Sequence, residues 1–116
     1  MTRIKVCEAF LGMHSWSDAL DEVSFLKNDH VHDFKATVSC VVDHDDRDIE
    51  FYILRKDLRQ ILKGSFEVAG GFYILDGKSC EHIGKIVLSG LIKMYGDHRG
   101  WEVSVAENPQ QSATVY

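Results

Sequence analysis

Apolar and polar residues alternate from the second residue onward. Ile4, Val6, Glu8 and Phe10 fall on one side of an extended chain, and Lys5, Cys7, Ala9 and Leu11 on the other. The Val, Ile and Phe content favours a strand over residues 2–12 rather than a helix. Residues 13–29, with Ser15, Ser17, Asp18, Asp21 and Asn28, suit a loop holding at most a short helical turn. From His30 a cleaner alternation resumes, with Phe34, Ala36, Val38, Cys40 and Val42 on one face and Lys35, Thr37, Ser39 and Asp43 on the other. The acidic stretch His44-Asp45-Asp46-Arg47-Asp48 breaks it, and Ile49 to Leu54 reads as a third strand. A short helix fits Arg55 to Lys63, closed by Gly64.

Residues 64–78 hold four glycines and read as a loop, with room for a short extended piece around Phe72-Tyr73-Ile74. Ser79 is suited to cap the strongest helix signal, in which Ile83, Val87, Leu91 and Met94 form an apolar stripe. Gly96 to Gly100 turns the chain. Trp101, Val103 and Val105 then alternate with Glu102 and Ser104 in a fourth strand, and Ala113 to Tyr116 suits a last one. The order is an α+β arrangement: an antiparallel sheet with two helices on one face. A small open sheet exposes its two edge strands, and pairing between subunits would cover them, so a homo-oligomer is expected.

The 116 residues fit a single domain, 1–116, and a 45% hydrophobic content supports a packed core rather than disorder. A formal charge of −5 with scattered Lys and Arg excludes the basic face of a nucleic-acid binder. Cys7, Cys40 and Cys80 are odd in number and far apart, which points to a reducing compartment, with a cytoplasmic location expected. The N-terminal residues lead into alternation rather than an apolar leader, and no stretch is long enough to cross a bilayer, so no membrane partner is expected.

His30 and His32 stand two apart on a strand, so both imidazoles project from one face. They can supply two nitrogens of a zinc site, and His14, at the end of the first strand, can supply a third if strands one and two form a hairpin. Three imidazoles with an open fourth position is the donor set of a catalytic rather than a structural zinc. On spacing alone, surface placement is the default for such a pair in a chain of six histidines. His44, His82 and His98 lie near turns or a helix start and read as solvated.

Phe10-Leu11-Gly12-Met13-His14 resembles the Phe-x-Ala-x-His segment that ends the first strand of the 6-pyruvoyltetrahydropterin and 6-carboxytetrahydropterin synthases. His30-Val31-His32-Asp33-Phe34 is similar to their His-Gly-His-Asn-Tyr, Asp48 to Phe51 with Leu54-Arg55 to their Val-x-Asp-Phe and Leu-Lys, and Ser79 to Ile83 to their Thr-Ala-Glu-Asn-Ile. Val103-Ser104-Val105-Ala106-Glu107 is similar to their Val-x-Val-x-Glu, and Ala113 to Tyr116 to their closing strand. The matches run in order over almost the whole chain. The resemblance implies a tunnelling fold with a four-stranded antiparallel sheet, two helices on one face and subunits joined into a barrel. It also implies that His14, His30 and His32 bind zinc and that Glu107 anchors a heterocyclic small molecule at a subunit boundary. A carboxylate can accept paired N–H bonds from the amino edge of a pterin or guanine. Without the resemblance Glu107 reads as a solvated strand end. Glu81 reads as a first-turn acid favoured by the helix dipole.

Two parts of the family pattern are missing. The cysteine that removes a proton stands four residues before the first of the paired histidines, a position held here by Leu26. The family's Asp-His relay between the two helices has no counterpart, since residues 64–78 contain Asp76 but no histidine. Cys80 and His82 flank Glu81 and read as helix N-terminal residues. The resulting expectation is an oligomeric binding protein that holds or sequesters a pterin-, purine- or nucleotide-type ligand without the family's lyase activity. The alternative is a zinc-dependent lyase of the tetrahydropterin synthase type with an altered proton relay. The third reading is a structural oligomer.

Overall fold

The computed structural model describes all 116 residues. The first strand, β1, runs Thr2–His14, and a short 3₁₀ segment, Asp21–Lys27, leads into β2, His30–Val42. These two long strands pair in register from Thr2↔Val42 to His14↔His30. Residues directly opposite in an antiparallel pair share a face. The even-numbered residues of both strands therefore form one surface, and it carries the core: Val6 and Phe10 from β1, and Phe34, Ala36, Val38 and Cys40 from β2.

Helix α1 spans Phe51–Ser65 and α2 spans Cys80–Tyr95. Both cover that even-numbered face, α1 through Leu54, Leu58 and Leu62 and α2 through Ile83, Val87 and Leu91, all fully buried in one cluster. The opposite face of the sheet carries no helix and remains polar, with Arg3, Lys5, Lys35, Glu102 and Thr114 exposed. The two-helix, one-face layering is as expected from the sequence.

The sheet itself is larger. It has six strands, in the order β3-β4-β1-β2-β5-β6, where β3 is Glu67–Ala69, β4 Phe72–Asp76, β5 Glu102–Asn108 and β6 Gln111–Val115. It is also not purely antiparallel, because β4 runs parallel to β1. The reading of 64–78 as a loop gives way to a hairpin. Gly70 and Gly71 have φ of 59° and 83°, the positive values that a tight two-residue turn between β3 and β4 requires.

The third strand expected over Ile49–Leu54 is instead the start of α1. The Glu50 carboxylate accepts the backbone N–H of Ile53 at 2.9 Å and caps the helix. Only Leu54 of the run Phe51-Tyr52-Ile53-Leu54 is buried, so β-branched and aromatic content misled where a cap and a four-residue spacing decided. Gly64 does not close this helix. The chain stays helical to Ser65 and stops where Phe66 turns extended to bury its ring. At α2 the Ser79 hydroxyl accepts the His82 N–H at 3.2 Å, the expected cap. No helix is long and apolar enough to cross a membrane. Cys7, Cys40 and Cys80 are free thiols.

Candidate metal centre and ligand cleft

The register that builds the core also builds the site. At its far end His14 sits directly opposite His30, and His32 lies opposite Gly12, one step back on the same face. All three imidazoles emerge on the helix-covered side, standing on the buried Phe34 ring, which meets His14 and His32 edge-on at 5.2 and 5.6 Å. Phe34 in turn stacks on Phe10 at 5.5 Å. Gly12 makes this possible: a β-carbon there would come within 2.6 Å of Leu75 Cδ1 and 2.7 Å of Phe34 Cδ2.

The ring centroids lie 4.5 Å (His14–His30), 5.0 Å (His30–His32) and 5.3 Å (His14–His32) apart. One ligand nitrogen from each falls within 4.8 Å of the others. A tetrahedral zinc with bonds near 2.05 Å holds its nitrogens about 3.3 Å apart, so modest ring rotations close the set.

Two tautomers are fixed by the backbone. A turn at Leu75–Lys78, entered through Asp76 at a φ of 53°, brings the Lys78 carbonyl to His14 Nδ1 at 3.1 Å. The Asn28 carbonyl receives His30 Nδ1 at 2.8 Å. In each ring Nδ1–H donates and Nε2 is left with its lone pair, the state a metal ligand requires. His14 Nε2 is buried and has no hydrogen-bond partner. Burial lowers the pKa of His32, the charge of Glu107 opposes that shift, and His14 and His30 reinforce it, so His32 favours its neutral, ligating form. The residues fit a zinc ion.

Glu107 comes from β5, whose Val103 and Val105 point into the core. A bulge against β6 leaves residue 107 unpaired, a device that re-aims a side chain. Its Oε2 lies 3.7 Å from both His14 Nε2 and His32 Nε2. The sequence places Glu107 at a strand end, and the fold brings it to the histidines.

Beside this group opens a cleft of about 440 Å³, lined by His14, His30 and Glu107. Leu26, from the 3₁₀ segment, lines it too, so the position of the family's cysteine is at the site and aliphatic. Cys80, Glu81 and His82, read from the sequence as helix N-terminal residues, keep that place and also form part of the cleft wall. Burial, with the charges of Glu107 and Glu81, pushes the Cys80 thiol up to about 11, so it stays protonated at neutral pH. Trp16 lines the cleft as well and carries no sequence signal beyond its place two residues after His14. His44 and His98 lie elsewhere.

No protein-family model matches the chain. No curated protein matches it either. Solved structures do. The 6-pyruvoyl tetrahydropterin synthase of Plasmodium falciparum superposes with a TM-score of 0.68 at 20% identity, over 98% of this chain and 96% of that one. The Plasmodium vivax enzyme gives 0.64 at 18% identity, over 99% and 98%. The Caenorhabditis elegans enzyme gives 0.68 at 14% identity, over 98% and 94%. The chain therefore has the fold of the 6-pyruvoyl tetrahydropterin synthases, at a sequence divergence far beyond that at which activity follows from fold.

Proposed function

We propose that this is an oligomeric small-molecule-binding protein that holds zinc through His14, His30 and His32. Its cleft takes a flat pterin-, purine- or nucleotide-type ligand anchored by Glu107, without the lyase activity of the synthases whose fold it shares. The observation that carries this reading is the pairing of a three-histidine donor set with an aliphatic residue, Leu26, where the synthases carry their proton-removing cysteine. The buried lone pair of His14 and the backbone-held tautomers suit a metal, while Leu26 has no group that can take a proton.

Zinc bound there would polarise an oxygen of the ligand. The rest of the work falls to the chain's own groups. The Lys78 and Asn28 carbonyls orient the imidazoles of His14 and His30, Phe34 supports those of His14 and His32 from below, and the Glu107 carboxylate accepts the ligand's N–H edge. The short edge strands β3 and β6 offer unpaired backbone groups for subunit pairing, and assembly would enclose a cleft that is open in the single chain.

The test has four parts. Metal analysis should find one zinc per chain, calorimetry should detect neopterin, guanosine or a cyclic nucleotide, and light scattering should report a closed oligomer. Dihydroneopterin triphosphate should not turn over. Protein that neither carries nor takes up zinc at neutral pH, or a strict monomer that binds no heterocycle, would refute the proposal. Glu81 and His82 on the cleft wall favour a second reading, an enzyme with a different proton route, and robust turnover would establish it.

A further inference from the structure

Trp16 is held in place by its backbone and left free at its ring. The Ser15 N–H donates to the Asp76 carbonyl at 2.9 Å, and the Trp16 N–H to the Leu26 carbonyl at 2.7 Å. The Trp16 carbonyl accepts the Ala19 N–H at 3.1 Å, and Ala19 is buried. Its Cα is thus tied both to the strand end that carries His14 and to the segment that carries Leu26. Trp16 is 44% exposed, and its indole has no aromatic neighbour and gives its N–H to nothing. The chain's other tryptophan shows what a structural role looks like here. Trp101 is 4% exposed, packs on Tyr95 with centroids 5.6 Å apart and donates its indole N–H to the Gly96 carbonyl at 3.1 Å.

An exposed, unpartnered indole on a fixed stem costs solvation unless something covers it. Trp16 is also the one Trp, Tyr or Phe lining the cleft shared by His14, His30 and Glu107. A ligand held edge-on by the Glu107 carboxylate still has two bare faces, and a flat π-system is matched by an indole, which loses little conformational freedom on stacking.

We infer that Trp16 is the stacking platform of the cleft and selects a planar heteroaromatic ring over a sugar or an aliphatic acid. This rests on the proposed function and narrows it, since face recognition by Trp16 joins edge recognition by Glu107 on one ring.

The experiment uses the full-length, zinc-supplemented chain with neopterin and guanosine as probes. Calorimetry gives affinity for wild type, Trp16→Ala and Trp16→Phe, with zinc content and light-scattering mass measured on each. Trp16→Ala should weaken both probes by about tenfold or more and Trp16→Phe by no more than about threefold, with zinc and mass unchanged. Bound guanosine should also shield the iodide-quenchable part of the tryptophan emission, and Trp16→Phe should remove that part. Affinity within about twofold of wild type in Trp16→Ala overturns the inference while leaving the proposed function standing. A change of mass on substitution, with affinity retained, makes Trp16 a subunit contact and also overturns it. Equal losses in both variants together with lost zinc would make the role structural. If wild type binds neither probe, the proposed function falls and the stacking falls with it.

Discussion

Glu107→Gln tests the proposed ring anchor separately from the proposed metal site. The substitution keeps side-chain volume and replaces one acceptor oxygen by an NH₂ that faces the ligand's own donors. Charge-assisted hydrogen bonds contribute about 1.5–3 kcal/mol each. The Glu107 side chain is 28% exposed, and residual hydration puts the loss at the lower end of that range. About 1.4 kcal/mol is a tenfold change, so affinity for a pterin or guanine derivative should fall about tenfold or somewhat more. Zinc should respond less. His14, His30 and His32 are the proposed donors, and the amide stays within reach of the same two Nε2 atoms, 3.7 Å from Oε2 in the native side chain. Paired calorimetric titrations of neopterin and zinc into wild type and variant give both numbers. The 3.7 Å contacts also suggest the result that would refute the assignment. If zinc affinity falls by more than about 100-fold, beyond what loss of an outer-shell partner costs, with heterocycle affinity falling only in parallel, Glu107 is a fourth metal ligand and not an anchor.

His30→Ala should abolish stoichiometric zinc by atomic absorption while the thermal midpoint of the metal-free protein stays near that of wild type, because His30 lies outside the buried core. Gly12→Ala should cost about 1–3 kcal/mol, seen as a drop of at least about 4 °C in melting temperature, since Phe34 and Leu75 must move to admit the β-carbon. Asp48 accepts the Asp43 N–H and an Arg99 N–H at 2.9 Å, and these hold its carboxyl below the ordinary range, the backbone bond more than the guanidinium. A depressed carboxyl contributes stability above the unfolded-state value that is lost as pH falls through the folded one. Urea unfolding should therefore separate Asp48→Asn from wild type at pH 7 and bring the two together as the pH falls below the ordinary carboxylate range and through the folded value, and a gap that does not narrow in acid would contradict the linkage.

What the sequence disclosed depended on the length of the pattern. The even-numbered face of β1 and β2 was legible because thirteen-residue strands repeat their alternation many times, and His14, His30 and His32 fall on it by parity alone. The stripe from Ile83 to Leu91 was legible for the same reason. Ile49 to Leu54 was not, because Ile49 and the run Phe51-Tyr52-Ile53 favour a strand and outweigh one capping glutamate in any local reading. The hairpin at Gly70-Gly71 was hidden by a three-residue β3 too short to show a period. The cleft walls were the least legible, since Trp16, Leu26 and Cys80 meet only when two separate connections, β1 to β2 and β4 to α2, fold back onto one strand end.

That difference has a consequence for chemistry on this fold. The pairing that sets Phe10 against Phe34 also sets His14 against His30, so a one-residue slip would turn both core and histidines to the polar face. The placement of the three histidine positions on the helix-covered face is therefore coupled to folding itself, although the imidazoles lie outside the core cluster. Leu26 lies in a 3₁₀ segment with no buried residue, and Gly77 and Lys78 lie between β4 and α2 outside the core cluster, so these cleft positions can change with little effect on core packing. Proton-transfer groups on such connections can be lost while the donor set and the carboxylate on β5 remain. Under the proposed function, a chain that keeps the three histidines with Leu26 at the lip of the cleft would bind its ligand without the proton transfer that turnover needs.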